Sequence, residues 1–361
     1  MSTFNFQLST FKRFFDSNAL WLSMIIGVLG YKCFRYGAPL LPSMIFLMLF
    51  FTFCKIDPKD LRLHRWHWAV LAVQISLAVA TYYAVFALTR DQIVAQGLMM
   101  CFIMPTATAA PIIAGKLGGS IQNLTTFTLL SNFATSLIVP AFFPLINPEL
   151  ATVPASFQFS PFIYHFTLLL RRISPLLLGP FFAAWLLRIG VNAYYRHIDM
   201  SSSRHDEKTA LREFSLPSSL AQVPFYLWVG TIIILMASMT DTLLSTFNFQ
   251  LSTLLWLLIG SFLSCLLQFF IGKWIGRRMP APSRGKDYED VLLNPNAPRD
   301  MPSVSSVTAG QAFGQKNTTL GVWMAQTFLN PLSAIGATAY IIWQNFFNSA
   351  QLYRAAHGKS I

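Results

Sequence analysis

The sequence contains few charged side chains, and this scarcity excludes an ordinary soluble protein. Asp, Glu, Lys and Arg make up only 11% of its 361 residues, against about 25% in a typical soluble domain. Hydrophobic residues account for 54%, and the mean hydropathy is +0.50. Apolar runs of about 17–25 residues, each long enough to cross a bilayer as a helix, recur along the chain. Because these runs lack the alternation of a membrane β-barrel, we predict an all-α integral membrane protein.

Acidic residues are missing from the apolar runs altogether. All fourteen Asp and Glu lie in predicted connections or at the ends of the runs, and Asp241 is the nearest to a membrane segment. Intramembrane carboxylates are usual in proton relays, so an ion site built on a carboxylate is excluded. The sequence also lacks HExxH, GxSxG, a Walker-type phosphate loop and paired aspartates for metal-diphosphate chemistry. We therefore expect that the protein is not an enzyme.

Cysteines are few and widely spaced. Cys33, Cys54, Cys101 and Cys265 each fall in or at the edge of an apolar run, and no two of them form a close pair. This spacing argues against a disulfide framework and against a zinc site. We interpret all four as thiols of the core, and we expect no metal or organic cofactor.

The apolar runs predict ten membrane spans. They lie at residues 19–34, 40–53, 68–88, 93–117, 124–146, 173–189, 223–239, 251–275, 304–329 and 334–352. Lys and Arg concentrate near both chain ends and in the connections after the even-numbered spans. By the positive-inside rule, both termini are cytoplasmic, in a multi-pass protein of the cytoplasmic (inner) membrane. The net charge of +12 thus follows from topology, so no nucleic-acid partner is expected; the oligomeric state stays open.

One pair of basic residues departs from this charge pattern. Arg171 and Arg172 precede the sixth span on the predicted outer side. We predict that residues 159–172 lie along the outer membrane interface, as amphipathic segments do. The chain would then enter the membrane at Pro175.

Two of the spans carry polar interruptions. In the fourth, Pro105 and Pro111 remove backbone donors and disfavour helix before them, which predicts two half-helices. Thr106 and Thr108 add hydroxyls there, and the N-termini of half-helices attract anions. In the ninth, residues 314–317 read Gly-Gln-Lys-Asn.

Lys316 is the one basic residue in the middle of a predicted span. It lies about ten or more residues from either end of its run, roughly 15 Å along a helix, which is too far for its amine to reach an interface easily. A charge at that depth indicates a functional site. In the fifth span, Thr128, Asn132 and Thr135 share one helix face. That face either bonds neighbouring helices or lines a pathway.

Ten spans divide into two halves of five, at residues 1–150 and 151–361. Halves with an odd number of spans enter the membrane in opposite directions, and such inverted repeats are common in secondary transporters. Internal matches support this division: Gln74 of the third span corresponds to Gln268 of the eighth, and the fourth and ninth spans are both interrupted. The predicted fold is therefore two inverted five-helix repeats whose helices 4 and 9 are broken and cross.

The sequence resembles the bile acid:sodium symporter family. The resemblance rests on GQKNTTLGVWMAQ at residues 314–326, MPTATAAP at 104–111, WQNFFNSAQL at 343–352, and Gln74. It implies a core domain of spans 3–5 and 8–10 that rocks against a panel domain of spans 1, 2, 6 and 7. It also implies two sodium ions behind the crossing of spans 4 and 9.

Four residues, Gln74, Thr108, Thr128 and Asn317, match site positions of that family. These four residues and the polar residues around the interruptions form the predicted substrate and ion site. The predicted substrate-binding residues are Thr106, Thr108, Lys316, Asn317 and Gln344. The predicted residues of the ion site, or of its substitute, are Gln74, Thr128, Asn132, Gln268, Gln315 and Lys316.

The sequence departs from the family at the sodium ligands. A serine–asparagine pair is Ala110-Pro111 here, and a serine of the fifth span is Leu124. The acidic residue that serves both ions aligns with Ala312, and a glutamine aligns with Lys316. We hypothesise that the Lys316 ammonium takes the place of a sodium ion. Proton coupling through Lys316, or direct pairing of Lys316 with the substrate, are both open.

The function predicted from these features is secondary transport of an organic anion, bile-acid-like or a smaller carboxylate, by alternating access. Transport is expected to be independent of sodium. Two alternatives stay open: a sodium-coupled symporter with altered sites, and a membrane sensor or scaffold that keeps the fold without transporting.

Overall fold

The computed structural model describes residues 19–56, 61–147, 160–201, 222–245, 251–281 and 301–357, with positions 59, 217 and 220. The described residues form helices and their connections, with one isolated β-bridge. Six segments are long and apolar enough to cross a membrane: Tyr31–Phe53, Arg65–Thr89, Ile121–Ile146, Pro161–Tyr194, Val223–Ser245 and Leu251–Arg278. The protein is therefore an all-helical, multi-pass membrane protein.

The first half of the chain contains seven described α-helices and one 3₁₀ helix, Arg35–Leu40, between α2 and α3. The helices are α1 Ala19–Leu29, α2 Tyr31–Phe34, α3 Leu41–Phe53, α4 Arg65–Thr89, α5 Gln92–Ile103, α6 Ala110–Lys116 and α7 Ile121–Ile146.

The second half contains six described α-helices and a short 3₁₀ helix, Pro331–Ser333, before the last of them. They are α8 Pro161–Ser201, α9 Val223–Ser245, α10 Leu251–Arg278, α11 Met301–Gly314, α12 Thr318–Phe328 and α13 Ala334–Ala356. Helices thus occupy the position of every predicted span. The fourth and ninth predicted spans are each divided between two short helices, as the sequence predicts.

Side-chain caps fix where several helices begin. The Asp91 carboxylate accepts hydrogen bonds from the backbone N–H groups of Ile93 (2.8 Å) and Val94 (3.2 Å) at the start of α5. Ser120 accepts one from the Asn123 N–H (3.1 Å) at the start of α7. Such caps satisfy N–H groups that have no partner within the helix.

The predicted turn at Pro175 is wrong, whereas the interfacial position of residues 159–172 stays a prediction. Residues 161–201 form one continuous helix, α8, with Pro175 and Pro180 inside it, so the chain does not turn at Pro175. A helix of 41 residues is about 62 Å long, roughly twice the ~30 Å hydrocarbon core. It is therefore longer than one crossing requires, and the exposed Arg171 and Arg172 lie within it.

Contacts connect the described helices throughout. α3 packs against α8 and α9, α2 packs against α9, and α8 also packs along α7. α5 lies against α4, α10 and α13, and α10 packs along α11. Gly97 of α5 faces Gly336 of α13, where a Cβ on Gly336 would overlap the Gly97 carbonyl oxygen. Glycines at such contacts let helix backbones approach closely in membranes.

All four cysteines are free thiols. Cys54, Cys101 and Cys265 are buried, as the core assignment predicts, whereas Cys33 is exposed. The core assignment of Cys33 is therefore wrong, because its short helix, α2, has no buried residue.

Candidate functional site

The two helix interruptions meet at the centre of the candidate site. Thr106 and Lys316 form an antiparallel bridge between them. The Asn317 N–H donates to the Pro105 carbonyl (2.7 Å), and the Ala107 N–H donates to the Gln315 carbonyl (3.0 Å). Backbone groups buried in a membrane need partners within the protein. Each interruption supplies those partners to the other.

Side-chain hydroxyls also bond backbone groups of the crossing. The Thr106 N–H donates to the Ser131 hydroxyl (3.1 Å), and the Thr106 hydroxyl donates to the Ala312 carbonyl (2.7 Å). The Tyr340 hydroxyl donates to the Gly314 carbonyl (2.8 Å). Thr106 is predicted to bind substrate, but its hydroxyl proton is already used in a hydrogen bond within the protein.

A pocket with about 120 Å³ of free space lies at this crossing. It opens between the interruptions on one side and Met48 of α3 and Trp228 of α9 on the other. The lining residues from the interruptions, the start of α12, and α13 include Thr108, Gln315, Lys316, Asn317, Thr318, Thr319, Gln344, Asn345 and Asn348. Four of the five predicted substrate-binding residues therefore share one pocket, and Thr106 is buried beside it.

Two pocket amides have a fixed orientation. The Gln344 Oε1 accepts a hydrogen bond from the Lys316 N–H (2.9 Å), and the Asn317 Oδ1 accepts one from the Leu320 N–H (3.2 Å). A backbone N–H can only donate, so each amide must direct its oxygen at that N–H and its NH₂ group elsewhere. The Asn317 Nδ2 is buried without a hydrogen-bond partner. Each amide therefore keeps an NH₂ group that these two backbone bonds do not use.

A chain of buried amides extends from the pocket along the interface of α11 and α13. The Gln315 Nε2 contacts the Gln311 Oε1 and donates to the Asn348 Oδ1 (3.3 Å). The Gln311 Nε2 donates to the Gln351 Oε1 (2.8 Å). Sequence analysis missed Gln311, Asn348 and Gln351. The sequence does carry a signal for this chain of amides, because the i, i+4 and i+7 spacing of Gln344, Asn348 and Gln351 places them on one helix face.

The Lys316 side chain is enclosed behind the crossing. Lys316 is 1% exposed, and its Nζ has no hydrogen-bond partner. The Nζ lies 4.9 Å from the centroid of the Phe313 ring, within the range of a cation–π contact. It also lies within electrostatic range of the thiols of Cys101 on α5 and Cys265 on α10. The amine itself is thus surrounded by three helices.

Two of the other residues predicted for the ion site bind backbone carbonyls of α5 and its C-terminal end. The Gln74 Nε2 donates to the Met104 carbonyl (3.1 Å), and the Gln268 Nε2 donates to the Cys101 carbonyl (3.1 Å). Their Oε1 atoms are buried without a partner. Gln268 therefore ties α10 to the turn of α5 that carries one of the thiols near Lys316.

The predicted ion-site residues of α7 bond within their own helix. The Thr128 hydroxyl donates to the Leu124 carbonyl (3.0 Å), and the Asn132 Nδ2 donates to the Thr128 carbonyl (2.7 Å). Within the described residues, these groups do not join the hydrogen bonds of the crossing. Ser131, between them, does so through the Thr106 N–H.

Comparisons with models of known protein families and with curated proteins gave no match. The resemblance to the bile acid:sodium symporter family therefore stays a prediction.

Proposed function

We propose that the protein is a secondary transporter that carries a small organic anion through the pocket at the helix crossing. The observation that carries this proposal is the orientation of Gln344 and Asn317. Their oxygens are held by backbone N–H groups, and we infer that their NH₂ groups serve as the donors to a ligand. Hydrogen-bond donors around a ligand's negative group are the usual means of anion recognition.

The electrostatics of the pocket favour an anion. Asn317 is the N-cap of α12, so the positive end of that helix dipole points into the pocket lining. The acidic residues whose side chains the structure describes are Asp91 and Asp241, and neither lines this pocket. An anionic group there meets donors and a helix N-terminus without a described carboxylate beside it.

The size of the pocket favours a small substrate. Its free space is about 120 Å³, while drug-sized ligands occupy pockets of about 300–1,000 Å³. A carboxylate of a few carbon atoms fits this space better than a bile acid does. Between the two substrate sizes that the sequence leaves open, we propose the smaller.

Alternating access is supported by the position of the pocket. We propose that α4–α7 and α10–α13 form the core domain of two inverted repeats, and that α1–α3, α8 and α9 form the panel domain. The pocket has walls from both proposed domains, since Met48 of α3 and Trp228 of α9 line it together with residues of the crossing. Rocking of one domain against the other would therefore open and close the pocket.

Sodium independence is supported by Lys316. A buried amine that is protonated would repel a sodium ion about 4 Å away by about 4 kcal/mol at an effective dielectric constant of 20. We propose that its amine occupies the space of an ion, as the aligned loss of an acidic residue at Ala312 suggests. The unpaired Oε1 atoms of Gln74 and Gln268 are oxygen ligands that favour the alternative, a sodium-coupled symporter.

Counterflow in proteoliposomes tests the proposal. Vesicles loaded with unlabelled lactate, 3-hydroxybutyrate or succinate are diluted into labelled anion without sodium, with taurocholate as the large comparator. We expect transient uptake of at least one small carboxylate and none of taurocholate. Uptake that requires sodium would replace this proposal with the sodium-coupled symporter. Ligand binding without counterflow would favour the sensor.

A further inference from the structure

Lys316 connects the pocket to a buried amine. Its backbone N–H holds the Gln344 oxygen (2.9 Å), and so helps to fix the donor that Gln344 presents to the ligand. Its side-chain Nζ, on the same residue, has no hydrogen-bond partner. One residue thus contributes to the ligand pocket and to an enclosed titratable site.

The groups that face the amine carry no fixed negative charge. Cys101 comes from α5 and Cys265 from α10, and the Tyr340 hydroxyl on α13 interacts with the Cys265 thiol. Free thiols and phenols are mostly neutral near pH 7. Of the described acidic side chains, neither Asp91 nor Asp241 belongs to this cluster. The cluster therefore holds an amine whose charge no fixed neighbour compensates.

An uncompensated buried charge is unfavourable, and a buried group tends to become neutral instead. With the pocket empty, the neutral amine is accordingly the favoured state. A bound anion supplies the missing negative charge and favours the ammonium. Since linkage is reciprocal, a proton on the amine strengthens anion binding to the same degree.

We propose that Lys316 is the proton-coupling site of the carrier, taking up one proton with each anion. This inference rests on the proposed function. The proton comes from water on the side where the anion enters and forms an N–H bond at Nζ. It leaves to water on the other side when the anion is released, so proton and anion cross together and no electron is transferred.

A lysine that titrates and a lysine that stays charged give different pH dependences of anion affinity. If Lys316 merely substitutes for sodium with a fixed charge, the affinity for an ionised anion does not vary with pH. If it titrates, the affinity rises as the pH falls. The probe must stay ionised throughout, and lactate does so between pH 6 and 8 because carboxylic acids titrate near pH ~4.

The experiment uses the full-length protein in sodium-free proteoliposomes with the membrane potential clamped at zero. Lactate counterflow measures the carrier function, and lactate accumulation under an acidic-outside gradient measures coupling. Binding of lactate at pH 6 and 8 measures linkage. We expect accumulation in wild type, and binding about tenfold tighter at pH 6 than at pH 8.

Two variants test whether Lys316 is the source of the pH dependence and of the accumulation. Lys316→Arg keeps a charge that does not titrate, and Lys316→Met removes it. Both should show pH-independent binding and no gradient-driven accumulation. Lys273→Met, which alters a lysine of α10 outside the pocket lining, should behave as wild type. If Lys316→Met does not fold, the result for Lys316→Arg decides whether Lys316 is the coupling site.

The two proposals fail differently. Wild-type protein without counterflow for any anion overturns the carrier function. Counterflow without gradient-driven accumulation, or with the same lactate affinity at both pH values, overturns proton coupling alone. Coupling that persists in Lys316→Arg assigns it to another group and also overturns the inference.

Discussion

The backbone N–H of Lys316 donates a hydrogen bond to the Gln344 Oε1 across 2.9 Å, between the interruption after α11 and helix α13. This bond satisfies a backbone donor that the interrupted helix leaves without a partner. It also fixes the Gln344 oxygen toward that N–H, which leaves the NH₂ group for the proposed ligand. In the proposed carrier, the fold and the recognition of an anion therefore depend on the same contact.

Substitution of Gln344 separates those two roles. Gln344→Glu keeps an oxygen for the Lys316 N–H but replaces the NH₂ donor by a second oxygen, so we expect a folded protein that has lost at least tenfold in anion affinity. Gln344→Leu removes both functions. It should also lower the free energy of unfolding by about 1–3 kcal/mol, because it leaves the Lys316 N–H unsatisfied. Anion binding and thermal unfolding in detergent measure the two effects.

Gln326→Leu is the matched control for both variants. Gln326 lies on α12, and its amide contacts the Met239 sulfur (3.8 Å) outside the pocket lining. It should bind the anion as wild type does. Normal binding by Gln344→Glu would show that this amide does not contact the ligand.

Thr106 should matter for stability more than for binding. Its hydroxyl donates to the Ala312 carbonyl (2.7 Å), joining the two interruptions. We expect Thr106→Val to cost about 1–3 kcal/mol of unfolding free energy, since a buried acceptor loses its donor. Thr338→Val is the control, because the Thr338 hydroxyl donates within its own helix, to the Ala334 carbonyl (2.9 Å). Denaturant unfolding measures both variants. Equal losses of unfolding free energy would mean that the bond between the interruptions stabilises the protein no more than a bond within one helix.

The interruptions could be predicted from the sequence because their causes are local. Pro105 has no backbone N–H to donate to the helix. Gln315, Lys316 and Asn317 form a polar cluster in an apolar run. Structure confirms a break at each place. Pro175 shows the limit of the same rule, since α8 continues through it. In a membrane, neighbouring groups can satisfy the carbonyl that a proline leaves free.

The orientation of the site amides could not be predicted. Whether Gln344 offers its NH₂ or its oxygen depends on the backbone group opposite, and that group is 28 residues away in sequence. Gln311 was missed for a related reason. Its partner, Gln351, lies on another helix, and a polar stripe by itself does not identify its partner.

Close packing of α5 against α13 gives a further prediction. A Cβ on Gly336 would overlap the Gly97 carbonyl oxygen, whereas nothing lies within 4 Å of a Cβ on Gly190. We expect Gly336→Ala to cost about 1–3 kcal/mol, because the helices must separate. Gly190→Ala should be neutral or stabilising by up to about 1 kcal/mol, since alanine is the better helix former. Thermal unfolding compares the two, and similar stability would contradict the close approach.

Transport should not respond to sodium. Counterflow of lactate in choline chloride and in sodium chloride at equal ionic strength should agree within about twofold, because the Lys316 amine, protonated when lactate is bound, would weaken nearby sodium binding by roughly a thousandfold. Lys316→Gln removes this repulsion while keeping a polar side chain. If the Gln74 and Gln268 oxygens then suffice as ligands, sodium should tighten lactate binding in Lys316→Gln and not in wild type. A sodium response in wild type that survives unchanged in Lys316→Gln would show that the amine does not occupy the ion's position.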